Sequence, residues 1–187
     1  MKSVIISIQP KWVEKIANGQ KTIEVRKTRP KIDTPFKCYI YCTRGENLWL
    51  TQSGVKRKTE LAGYLMNGKV IGEFVCDRII ELGNYQEVDH SYMLWVKDRE
   101  TTDKLCQSAC LNEFEIQDYL GKNGGFGWHI SDLVIYEQPK ELSEFKNYCE
   151  KQPCQSNCWK CDRYDYIGNA CYNTITRPPQ SWCYVEE

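Results

Sequence analysis

Residues 18–30, NGQKTIEVRKTRP, place one acidic residue among several basic ones. The acid is Glu24, and the cations are Lys21, Arg26, Lys27 and Arg29. Side chains two residues apart on a strand share a face, so Glu24 and Arg26 are expected to line one cleft, roughly 7 Å apart. Cations bind phosphate or carbonyl oxygens, and a carboxylate accepts hydrogen bonds from base amines such as cytosine N4 or transfers a proton. The alternative is an exposed strand on which Glu24 forms surface ion pairs.

Aromatic residues and a histidine are candidates to complete such a site. Trp128 and His129 follow GGFG, a glycine-rich turn that allows a ligand to approach closely. Trp12 and Trp182 are further candidates, since aromatic rings stack on the bases of single-stranded nucleic acids. Packing in the core is the commoner role of a tryptophan, and that interpretation stays open for each of them.

Six of the eleven cysteines lie in the C-terminal third, where CEKQPCQSNCWKC spaces them C-x4-C-x3-C-x2-C. A compact set of thiolates can surround one tetrahedral zinc ion, and a chain without an export signal favours metal binding over disulfides. The spacing predicts a zinc knuckle within residues 146–174. The alternatives are free thiols or one opportunistic disulfide in a flexible flap, and an iron–sulfur cluster. The candidate ligands are Cys149, Cys154, Cys158, Cys161 and Cys171.

Length and composition favour one soluble domain with a small appendage. The chain has 187 residues, of which 41% are hydrophobic and 27% are charged. No apolar run approaches the roughly 18 residues that span a bilayer, and the N-terminus turns polar too soon for a signal peptide. We therefore expect a cytoplasmic protein without a membrane partner. No Walker loop or dinucleotide fingerprint is present, so no organic cofactor is expected.

The charges are unevenly distributed along the chain. Residues 1–70 carry 14 Lys and Arg against 5 Asp and Glu, whereas residues 71–187 carry 11 against 20. Such asymmetry predicts a basic face in the first part, suited to an anionic partner such as RNA.

The hydrophobic pattern predicts several strands and a few helices. SVIISI, KTIEVRK, FKCYIYCT and the C-terminal SWCYV have strand character, and KWVEKIANG has the period of an amphipathic helix. KVIGEFVCDRIIEL is interpreted as one long strand bent near Gly72. Residues 45–69 are interpreted as a mobile loop or poor hairpin, and residues 84–122 as mostly helical. This order favours an α+β fold, a mixed β-barrel with attached helices, over a doubly wound sheet.

One motif resembles a known family. GQKTIEVR matches the G-x-K-x-x-E-x-R pattern of ASCH domains, which belong to the PUA-like superfamily, and GWHISDLVIY and RPPQSWCYV also fit. The whole chain resembles small ASCH proteins of Firmicute bacteria and their phages. The resemblance implies a PUA-like mixed β-barrel with flanking helices over residues 1–145. It leaves 146–174 as a small cysteine-rich insertion, and residues 175–187 as a C-terminal strand that completes the barrel.

The resemblance implies binding of RNA or a nucleotide in a basic cleft around this motif. The expected ligand-binding residues are Lys21, Glu24, Arg26, Lys27, Arg29, Trp128 and His129. The alternative is a hydrolase of N4-acylcytidine-type nucleosides or of RNA. Lys21 and Glu24 would then be the acid–base pair and Glu73 a second carboxylate. Hydrolytic relatives have a nucleophilic threonine where this chain has Glu24. A second alternative is a phage or host module that binds another protein.

Overall fold

A computed structural model describes residues 2–57, 63–86, 92–96, 101–148 and 174–186. The described chain is a mixed α+β fold, with more strands than helices. No helix among these residues is long and apolar enough to cross a membrane. The predicted zinc ligands at Cys149, Cys154, Cys158, Cys161 and Cys171 lie outside the described residues.

The largest sheet has five strands, in the order β11-β7-β3-β1-β12. Strands β1 and β3 are parallel, and the other neighbours are antiparallel. The predicted C-terminal strand is confirmed as β12, which lies at the edge of this sheet against β1. The bounds are Lys2–Ile8 for β1, Phe36–Cys42 for β3, Val70–Cys76 for β7, Ser131–Lys140 for β11 and Trp182–Glu186 for β12.

A second sheet has four antiparallel strands, in the order β2-β10-β8-β9. Helices α2 and α3 pack against its face with a core that includes Ile23, Leu82, Leu105 and Ile116. The bounds are Ile23–Arg26 for β2, Ile79–Gln86 for β8, Tyr92–Val96 for β9, Gly125–His129 for β10, Thr102–Ala109 for α2 and Glu113–Leu120 for α3. The expectation that residues 84–122 are mostly helical is therefore only partly right, because β8 and β9 form a hairpin before α2.

The predicted closed barrel is wrong. Among the described residues, no strand pairing joins the five-stranded sheet to the four-stranded one. The apparent single strand KVIGEFVCDRIIEL is broken at Asp77 and Arg78, so β7 belongs to one sheet and β8 to the other. The sheets meet instead through the main core, to which Ile6, Ile40 and Phe74 contribute from the first sheet and Trp128 from the second.

The described parts of residues 45–69 contain more regular structure than the sequence predicts. They include three short strands, β4 (Trp49–Thr51), β5 (Gly54–Lys56) and β6 (Tyr64–Leu65), which form a separate sheet. Helix α1 (Pro10–Ala17) packs next to this sheet. These described parts bury apolar side chains in the main core, where Leu48, Val55 and Met66 are almost fully enclosed.

The ends of the predicted insertion lie side by side. An isolated bridge pairs Lys146 with Thr174, and a second pairs Asn147 with Val185 of β12. Lys146 and Thr174, on either side of residues that lie outside the described part of the chain, are therefore neighbours.

Candidate functional site

Lys21 is positioned by the end of helix α1. After the helix, Gly19 adopts a φ of 71°, which glycine tolerates without strain, and the amide of Lys21 donates to the carbonyl of Lys15. The Lys21 ammonium donates to the carbonyl oxygen of Ala109 at 2.6 Å, although these residues are 88 positions apart. Ala109 ends helix α2, where the helix dipole favours a cation. Lys21 is only 2% exposed, so its charge is held in a defined place.

Glu24 lies between two cations. Its Oε2 is 3.5 Å from Lys21 Nζ, and its Oε1 is 3.0 Å from Arg26 Nη2. Glu24 and Arg26 are 5% and 7% exposed. A solvated surface strand therefore does not describe this segment, and the predicted common face of Glu24 and Arg26 is confirmed.

Arg26 connects the motif to two other parts of the chain. Its Nη2 donates to the carbonyl oxygen of Ser7 at 2.6 Å, and its Nη1 is 3.5 Å from Ser181 Oγ. Its Nε is buried without a hydrogen-bond partner among the described residues. Ser7 is itself linked to the C-terminal segment, since its hydroxyl donates to the carbonyl of Pro179 at 2.6 Å.

These three charged side chains line a cleft of about 790 Å³. Trp12 of α1 and Tyr119 of α3 also line it, and Pro178–Gln180 approach from the C-terminal segment. Among the described residues that line the cleft, the numbers of positive and negative charges are equal, whereas the sequence predicts a basic cleft. The cations are Lys11, Lys21 and Arg26, and the anions are Glu24, Glu115 and Asp118.

Exposed lysines lie over both aromatic rings of the cleft. Lys11 Nζ is 4.5 Å from the ring centroid of Trp12, and the buried Lys21 Nζ is 5.2 Å from the same centroid. Lys27 Nζ is 5.3 Å from the ring centroid of Tyr119. Lys27 is thus next to the cleft although it does not line it.

Three further predicted ligand-binding residues, Arg29, Trp128 and His129, lie outside the cleft lining. Arg29 is exposed, with its guanidinium 5.8 Å from the ring centroid of Phe126. Trp128 is the cross-strand neighbour of Glu24, but it is 0% exposed and packs in the main core. His129 is opposite Ile23, on the other face of the sheet.

His129 and Glu73 instead make contacts of their own. His129 Nδ1 is 2.6 Å from Asp77 Oδ1. Glu73 belongs to the face of the five-stranded sheet that is turned away from the main core. There it accepts a hydrogen bond from the Tyr136 hydroxyl at 2.5 Å and lies 3.3 Å from Lys37 Nζ. Burial and this hydrogen bond raise the pKa of Tyr136.

Three cysteine thiols are buried in the main core. Cys38 is fully buried on β3, and burial raises the pKa of its thiol, on which the charges of Arg26 and Glu24 also act. Burial likewise raises the pKa values of Cys42 and Cys76 to about 12. All three cysteines belong to the main core, where they pack as small apolar residues.

Sequence analysis did not identify the hydrogen-bond acceptors and the cleft-lining residues that distant segments of the chain supply. Ala109, Ser7 and Tyr119 have no spacing signal in common with the motif. The RPPQSW stretch, which resembles the family pattern, was the one available indication that Pro179 and Ser181 belong near the site.

Neither a family model nor a curated protein matches the chain. Among solved structures, it is similar to the crystal structure of ASCH from Zymomonas mobilis, at 20% identity and a TM-score of 0.43, covering 73% of this chain and 69% of that one. It is similar also to a mutant ZmASCH protein from the same organism, at 20% identity and a TM-score of 0.44, covering 74% of this chain and 73% of that one.

Proposed function

We propose that the chain is an ASCH-type protein that binds RNA or a nucleotide and holds one base in the cleft. The observation that carries this proposal is the buried cluster of Lys21, Glu24 and Arg26 at the wall of a cleft of about 790 Å³. Pockets of this size enclose molecules as large as a nucleotide.

The buried charges support a binding role. Removing an ion from water costs several kcal/mol, and a structural core is often equally stable with apolar residues in its place. Here Lys21, Glu24 and Arg26 line an open cleft, so their unused hydrogen-bonding positions can serve a ligand. Polar groups that converge in a pocket orient the ligand and provide its specificity.

The aromatic walls suit a base. Trp12 and Tyr119 line the cleft, and stacking on such rings contributes about 1–3 kcal/mol per base. The lysines that lie over these rings, Lys11 and Lys27, are exposed and can move to a phosphate when a base takes their place. Because the charges of the lining balance, affinity for the phosphate chain comes from such exposed cations.

A hydrolase is the second candidate, because Lys21 and Glu24 contact each other at the cleft wall. In that role Glu24 takes a proton from the attacking water and Lys21 donates a proton to the leaving nitrogen. Glu73 has no part in this candidate mechanism, since it lies outside the lining of the cleft. Ser7 also lines the cleft, but its hydroxyl already donates a hydrogen bond to the carbonyl oxygen of Pro179.

Binding and turnover can be measured on the same material. The protein is titrated calorimetrically with nucleoside monophosphates and short RNAs, and is then incubated with N4-acetylcytidine and the same RNAs before chromatography. We expect binding without product. Steady product formation that Glu24→Gln abolishes, while Glu137→Gln does not, would select the hydrolase. Glu137 is an exposed residue outside the lining, so it is a matched control.

A further inference from the structure

The geometry points to uracil as the base that the cleft selects. This inference rests on the proposed function, because it specifies the ligand of the same site. It depends on the order in which hydrogen-bond donors and acceptors follow one another along the motif.

Along the wall of the cleft, the three side chains present donor, acceptor and donor. The carboxylate of Glu24 is in the middle, with Lys21 on its Oε2 side and Arg26 on its Oε1 side. Ammonium and guanidinium groups only donate, and an ionised carboxylate only accepts. Burial prevents the three groups from exchanging places.

Each of the three groups keeps hydrogen-bonding capacity for a ligand. Lys21 has three N–H donors, and within the described residues its hydrogen bond to Ala109 and its contact with Glu24 account for two. For Arg26 Nη1 the structure gives one contact, to Ser181 Oγ at the limiting distance of 3.5 Å. Within the part of the chain that the structure describes, each oxygen of Glu24 has one cation contact, which leaves lone pairs available.

Among the RNA bases, uracil has the complementary edge. Its Watson–Crick edge presents the O4 acceptor, the N3–H donor and the O2 acceptor, and this order is the same in both directions. Cytosine places the N3 lone pair against Glu24 and an amino group against a cation. Adenine makes the same two mismatches, and guanine brings its 2-amino group to a cation. Each of these bases therefore leaves a buried hydrogen-bond donor facing another donor. Cytosine and adenine also leave an acceptor facing the acceptor Glu24.

A series of ligands tests the inference on the unaltered protein. Calorimetric titrations at one salt concentration use UMP, CMP, AMP and GMP, and we expect UMP to bind at least tenfold more tightly than the others. The 5′-monophosphate of 3-methyluridine lacks the N3–H donor and is expected to bind at least tenfold more weakly than UMP. That of 5,6-dihydrouridine keeps the edge but loses the planar ring. It should still bind more tightly than CMP if hydrogen bonds to the edge of the base, rather than stacking of the ring, determine the preference.

Hexauridylate and hexacytidylate form the RNA arm of the test. Tighter binding of hexauridylate than of UMP, with the uracil preference kept, identifies RNA as the source of the base. Equal affinity identifies a free nucleotide.

The variants Glu24→Gln and Glu137→Gln link the preference to the motif. A glutamine amide is both donor and acceptor, so Glu24→Gln should reduce the ratio of UMP to CMP affinity at least fivefold, whereas Glu137→Gln should leave it unchanged. If Glu24→Gln fails to fold, the affinity of the 3-methyluridine 5′-monophosphate relative to that of UMP decides whether the inference stands.

The two proposals fail in different ways. Equal or tighter binding of CMP, AMP or GMP, full affinity for the 3-methyluridine ligand, or an unchanged ratio in folded Glu24→Gln would overturn the uracil inference and leave the proposed function intact. Absence of binding to every nucleotide and both hexanucleotides would overturn the proposed function itself.

Discussion

Lys21→Met tests whether the charged motif is a buried network. Methionine keeps most of the side-chain volume but removes the ammonium, so the carbonyl of Ala109 loses a hydrogen bond of 2.6 Å and Glu24 keeps Arg26 as its cation. Removing one partner of a buried ion pair costs about 3–5 kcal/mol when the other charge is left alone. Because Arg26 still neutralises Glu24, we expect a smaller loss of about 2–3 kcal/mol in the free energy of unfolding, close to that of one charge-assisted hydrogen bond.

The assay is urea unfolding at pH 7, followed by circular dichroism. The matched control is Lys122→Met, since Lys122 is exposed at the end of α3, and its expected change is within about 0.5 kcal/mol. In the double variant Lys21→Met with Glu24→Gln, the carboxylate that has lost the ammonium of Lys21 is itself replaced by a neutral amide. This double variant should be more stable than the sum of the two single losses predicts, by about 1 kcal/mol.

A result in which Lys21→Met and Lys122→Met have the same unfolding free energy would refute the reasoning. It would mean that Lys21 contributes no more than a solvated surface charge does. Strict additivity in the double variant would refute only the coupling between Lys21 and Glu24.

The remaining predictions concern the basic rim, the cysteines and the metal. Lys27→Ala with Arg29→Ala should weaken RNA binding similarly for all sequences and lower the slope of log affinity against log salt by about 2, whereas Lys122→Ala should change neither; salt-independent binding would contradict this. Cys42 and Cys76, whose pKa values burial raises from 9.0 to about 12, should resist alkylation at pH 8 until the protein is unfolded. For the same reason stability should fall as the pH rises from 9 toward 12, because unfolded thiols ionise first; a flat unfolding free energy over that range would count against it. Protein purified without added metal should contain about one zinc per chain by elemental analysis, held by the predicted cysteine ligands, and a metal-free preparation would remove that prediction.

Local periodicity determined much of the motif. The alternation of residues 23–26 correctly places Glu24 and Arg26 on one face and Ile23 on the other, because a strand has a period of two whatever surrounds it. The start of α3 is equally local. Asn112 caps the helix, since its side chain accepts from the amide of Glu115 and the Glu115 carboxylate accepts from the amide of Asn112.

The larger errors in the predicted fold arose where one local sequence pattern is compatible with two different strand arrangements. KVIGEFVCDRIIEL is apolar enough for one long strand, yet its halves belong to different sheets. Nothing in a run of β-branched residues states which strand will pair with it. The same limit explains the barrel, because closure depends on edge strands that are far apart in the sequence.

The sequence by itself determined that Glu24 and Arg26 share a face beside Lys21, since that follows from the backbone geometry of a strand. Only the tertiary structure decided that this face is buried against a cleft, that Ala109 and Ser7 hold its cations, and that Glu73 belongs elsewhere. The physical reason is that burial and hydrogen-bond partners come from residues up to 155 positions away, and such contacts have no local signature.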